Sequence, residues 1–117
     1  MARHPLPLSD YLAETVLFPL AEKTSGPNQE KLVEAYRITV VGEYFPQRAV
    51  EPELLVGENA AQQVTISRDQ RSIWGYFYKL PRDGEPIRVR YADSQEGELE
   101  QRFSRKKVHA LPRECIQ

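Results

Sequence analysis

The sequence predicts an all-β fold, an antiparallel sandwich of about seven strands. Three observations carry that prediction. From Leu32 onward, apolar and polar residues alternate with a period of two, which gives a strand one face for a core and one for water. Turn residues break the alternation roughly every 8–12 residues. No apolar pattern of helical period continues past residue 31. A chain of 117 residues is enough for one core and too short for two.

Each element follows from its residues. Residues 1–31 read as an N-terminal extension and linker that contributes a first strand or a short helix. Leu8, Tyr11, Leu12, Thr15 and Val16 fall at helical spacing behind Ser9, a candidate N-cap. The stretch TVLFPL equally fits a short strand stopping at Pro19. TSGPNQEK is turn chemistry. The sandwich domain is placed at 32–117. In AYRITVVGEYF, Tyr36, Ile38 and Val40 share one face and Arg37 and Thr39 the other, with Gly42 as a bulge or end. A strand at Leu54–Val56 precedes a turn at Gly57–Asn59, and Val64 and Ile66 mark the next strand. SIWGYFYKL is the strongest strand, closed by Pro81. Gly84 in RDGE is free to take positive φ. Ile87, Val89 and Tyr91 then alternate with Arg88 and Arg90. LEQRFSRKKVHAL holds one bent strand or two, around Leu99–Phe103 and Lys107–Leu111.

The order of these segments resembles an IPT/TIG domain, an early-set immunoglobulin-like sandwich. Ser25-Gly26-Pro27 matches the family's loop after its first strand. Ile38–Phe45, Val56-Gly57, Val64–Ile66 and Ile87–Tyr91 follow in the matching order, so the likeness covers residues 15–92. The chain departs from the family pattern where VEAYR replaces a Gly-Gly and where Glu58 follows Val56-Gly57. The resemblance implies an immunoglobulin-like sandwich and a binding module used in recognition or dimerisation. It brings no catalytic residues to carry over.

Composition narrows the functional classes. The formal charge is −1, so no overall field draws the chain to nucleic acid or to an anionic membrane. No stretch approaches the ~20 apolar residues of a membrane helix. Cys115 is the single cysteine, so no internal disulfide forms and a reduced, cytoplasmic setting is expected. His4 and His109 lie near opposite ends, and neither they nor Cys115 form a recognisable nucleophile signature. No CxxC, HxxxH or Asp-rich calcium loop occurs. No enzyme, cofactor or metal is expected.

The aromatic run Ser72–Tyr78 is the feature that points to a site. If Ile73, Gly75 and Phe77 face the core, Trp74, Tyr76 and Tyr78 share the other face. Arg88 and Arg90 would then lie beside those rings, provided that the two strands pair. The opposite phase makes the three rings core. A third arrangement buries both faces under the terminal segments. On the first arrangement, the rings bind a protein partner or a second copy of the chain, with the arginines as polar contacts. Carbohydrate or nucleic acid is the alternative ligand. Arg105, Lys106 and Lys107, in RFSRKKVH, would be the phosphate contacts; a charged edge strand is the simpler reading of that run.

Overall fold

The structure, a computed structural model, describes residues 6–21, 30–92 and 95–110. These form nine strands and one 3₁₀ turn. The strands are β1 (Leu8–Ala21), β2 (Glu30–Gly42), β3 (Glu53–Val56), β4 (Asn59–Ala60), β5 (Gln62–Ile66), β6 (Ser72–Phe77), β7 (Pro86–Arg90), β8 (Glu96–Arg102) and β9 (Val108–His109). The 3₁₀ turn, Arg105–Lys107, links β8 to β9. One sheet runs β5-β6-β2-β1-β9 and the other β4-β3-β7-β8. Every pairing is antiparallel except β1 with β9. The all-β sandwich is therefore present.

The inward face of each strand is the one that alternation marks. Ile38, Val40 and Ile73 are fully buried, as are Leu54, Val56, Ile87 and Val89 from the facing sheet. Phe45 and Phe103, each from a segment just beyond a strand, are buried in the same core. Tyr91 is buried too, and its hydroxyl donates to the Pro46 carbonyl at 2.7 Å, which spares a buried acceptor from going unpaired. Gly57 and Gly84 take positive φ at the turns that follow β3 and precede β7. Gln63 also has positive φ, where the β5–β6 register slips.

The N-terminal segment is a strand, not a helix, and it is not separate from the sandwich. β1 pairs with β2 from Leu8↔Gly42 to Ala21↔Glu30, and Tyr11 and Ala13 are buried, Tyr11 within the shared core. The helical spacing arose because Leu12 and Val16 stand on the outer face of a strand whose inner face is also partly apolar. Two apolar faces blur a period of two. The strand also continues through Pro19 rather than stopping there. Tyr11 gives its N–H to the Asp10 carboxylate and its C=O to Lys107, so the odd residues of β1 aim their backbone groups away from β2. By that parity, Pro19 sits where its missing N–H would have pointed to an open edge, the place where a strand tolerates proline. Ser25-Gly26-Pro27 lies outside the described residues.

Two further expectations change. β7 does not pair with β6; it pairs with β3 and β8 in the other sheet. The loop between β6 and β7 crosses from one sheet to the other instead of turning a hairpin. The second C-terminal strand is only Val108–His109, because Arg105–Lys107 coils into the 3₁₀ turn.

The β1–β2 hairpin outruns its neighbours. β6 reaches only Tyr36 on β2, and β9 reaches only Ala13 and Glu14 on β1. Beyond them, the pairs Val16↔Ala35 to Ala21↔Glu30 are, among the described residues, bonded across the hairpin alone. At ~3.3 Å per residue, this two-stranded ribbon extends about 20 Å past the sandwich.

Candidate functional site

The outer face of the five-stranded sheet gathers the aromatic run. Ile73, Gly75 and Phe77 are buried and Trp74, Tyr76 and Tyr78 alternate with them, so the first of the three arrangements is the one present. Trp74 and Tyr76 are half-buried by their neighbours, and Tyr78 is 42% exposed. Register fixes what lies beside each ring. Trp74 stands between Thr65 of β5 and Thr39 of β2, and Thr39 faces Leu12 of β1. Tyr76 faces Arg37, which faces Glu14, and Glu14 lies opposite His109. Val41 opposes Ser72, and Leu12 and Val41 are both well exposed.

Gly75 leaves room on the inner side of this strand, between Ile73 and Phe77, for the crossover. A methyl group there would come within 2.5 Å of the Ala61 side chain, which sits where the chain crosses from β4 into β5. The inward position under the rings is filled by the crossover, not by a side chain of β6.

A single ion pair stands in the middle of the face. Arg37 donates from Nε and Nη2 to Glu14 Oε1 at 3.2 and 2.9 Å. The hydrogen bond to Glu14 is the main reason that the Arg37 guanidinium is held charged above its ordinary value, and a hydrogen bond with Tyr76 adds to it. Beside this pair lies a shallow depression of about 540 Å³ lined by Leu12, Glu14, Val16, Arg37 and His109. Arg37 and Leu12 were not singled out from the sequence. The signal existed, since Arg37 and Thr39 alternate with core residues, but register is needed to set them against Tyr76 and Trp74.

The other expected site residues are elsewhere. Arg88 and Arg90 lie on the outer face of the opposite sheet, across the sandwich from the rings, because β7 belongs to that sheet. Arg88 donates to the Gly57 carbonyl and Arg90 to Glu53, so each braces its own sheet. The basic run is also partly spent on structure. Arg105 donates from Nε to the Pro81 carbonyl, and Lys107 donates to Asp10, to the Gln101 side chain and to the Tyr11 carbonyl. Lys106 is exposed on the 3₁₀ turn. His4 and Cys115 lie outside the described residues.

Among the described residues, no group of three or more His, Cys, Asp or Glu is placed to hold a metal ion. No helix among them is long and apolar enough to cross a membrane. Comparison with family models, curated proteins and solved structures finds no match to the chain.

Proposed function

We propose that the chain is a non-catalytic interaction module that binds protein, its own second copy included, through the outer face of the five-stranded sheet. One observation carries the reading. Leu12, Val41 and Trp74 share a face that the core does not use, Tyr78 follows directly after β6, and Leu12, Val41 and Tyr78 are 43%, 39% and 42% exposed. Aromatic and aliphatic side chains around one Arg–Glu pair have the composition of an interface centre. The adjoining depression offers a partner side chain a place to insert.

An immunoglobulin-like assignment belongs to the same proposal. What supports it is the strand order. Taken as A, B, E and D, strands β1, β2, β6 and β5 form one sheet in the immunoglobulin sequence, and β4, β3, β7 and β8 follow as C′, C, F and G. The likeness to IPT/TIG domains across residues 15–92 points the same way. A cytoplasmic setting rests on the single cysteine.

Sedimentation from micromolar to millimolar concentration tests self-binding, with Trp74 fluorescence as a local reporter. Self-association that shields Trp74 and is abolished by Leu12→Asp supports a second copy as partner. If the chain stays monomeric, photo-crosslinking from position 12, compared with position 98 on the opposite sheet, tests another protein as partner. Equal crosslinking from both positions sinks the face as a site.

A further inference from the structure

The chain leaves the second sheet at β4 and enters the first at β5, and two depressions meet at this crossover. One, about 230 Å³, is lined by Asn59, Gln62, Tyr76, Tyr78 and Lys79 among others. The other, about 550 Å³, is lined by Glu58, Asn59, Lys79, Arg82 and Glu85 with Leu80 and Pro81. Asn59 and Lys79 belong to both, so the two form one open groove. We propose that this groove binds a neutral oligosaccharide.

The chemistry of the lining selects that ligand class. The side chains of Glu58, Asn59, Gln62, Lys79, Arg82 and Glu85 make no hydrogen bond or ion pair with described residues, so their donors and acceptors are open to a ligand. Two carboxylates and two cations cancel in charge. A phosphate backbone would gain little from Lys79 and Arg82 with Glu58 and Glu85 beside them. Sugar hydroxyls both donate and accept, and the Asn59 and Gln62 amides do the same. Tyr78 lines the smaller depression and supplies a partly exposed ring, whose flat apolar face suits the C–H face of a pyranose. The larger depression falls within the ~300–1,000 Å³ of small-molecule sites. Asn59, Gln62 and Tyr76 lie on strands β4, β5 and β6, so one side of the groove is carried by the sandwich, while Lys79 to Glu85 belong to the connection between β6 and β7.

Calorimetric titration of the full chain with cellohexaose, maltohexaose and chitohexaose tests the proposal, with the oligonucleotide dT12 as the competing polymer. One hexaose is expected to bind, with an affinity that changes less than about twofold between 0.1 and 1 M NaCl. Replacing Asn59 and Gln62 together with alanine should weaken it about tenfold or more. Both residues are exposed, so the double variant stays folded. Leu12→Asp, which disables the protein-binding face, should leave sugar binding unchanged, so the two proposals fail separately. The inference is overturned if no hexaose binds, if the double variant binds as well as the parent, or if dT12 binds in the groove with a steep salt dependence.

Discussion

The ammonium of Lys107 lies 4.2 Å from the centroid of the Tyr11 ring. The same ring packs against Phe103 at 6.1 Å, and its hydroxyl accepts the Ser104 backbone N–H at 2.9 Å. The densest positive run in the chain is therefore a clasp that ties the segment between β8 and β9 back onto β1. Lys107 also pairs with Asp10, but both side chains are largely exposed, at 44% and 59%, so solvent screens that pair.

Replacing Lys107 with methionine keeps the stem over the ring and removes the charge. The expected cost is about 1 kcal/mol, from the lost cation–π contact and the screened pair. Urea unfolding of the two proteins measures it. Lys106→Met, which breaks no contact of this kind, should be neutral.

Asp10 makes stability depend on pH. The Tyr11 backbone N–H, followed by Lys107 and Gln101, holds its carboxyl below the ordinary 3.8. A depressed folded-state value means that this contribution is present above the unfolded value and is lost as pH falls through the folded one. Asp10→Asn should flatten the acid limb of the stability curve below about pH 4 and leave the shape above it unchanged. Thermal midpoints taken across that range in both proteins decide it.

The two faces of β6 should respond very differently to truncation. Phe77 is 4% exposed and belongs to the core. Phe77→Ala should cost about 3–5 kcal/mol. Trp74 is the larger residue but stands half-buried on the outer face, so Trp74→Ala should cost about 1–2 kcal/mol and leave a folded chain. Equal losses in chemical denaturation would mean that the rings belong to the core.

Gly75→Ala adds one methyl where Ala61 already sits. Overpacking of that size is expected to cost about 1–3 kcal/mol. Combining it with Ala61→Gly should recover much of the loss, because the second change empties the space that the first needs. A double variant no more stable than Gly75→Ala alone would place the strain elsewhere.

Alternation made the inner and outer faces of β2, β6 and β7 legible, because each has one buried side and one wetter side. Pairing partners were not legible. The sequence sets Arg88 and Arg90 beside Trp74 only if consecutive strands are neighbours, and a loop that changes sheets leaves no mark in a period of two. β1 was ambiguous because Leu12 and Val16 are apolar on the side away from the core. Arg37 carries no local mark of its role, because that role comes from Glu14 and Tyr76, which only register sets beside it. The role of Lys107 depends on Tyr11, and no local pattern links residues so far apart in the chain.

Pro19 stands on the outward edge of the hairpin ribbon, where β1 has, among the described residues, no strand beside it but β2. An edge with a full row of N–H groups is a template on which further chains can add, each offering the next the same edge. The row on β1 has a gap at residue 19. The missing donor disfavours strand addition, and so growth into a filament, along that side.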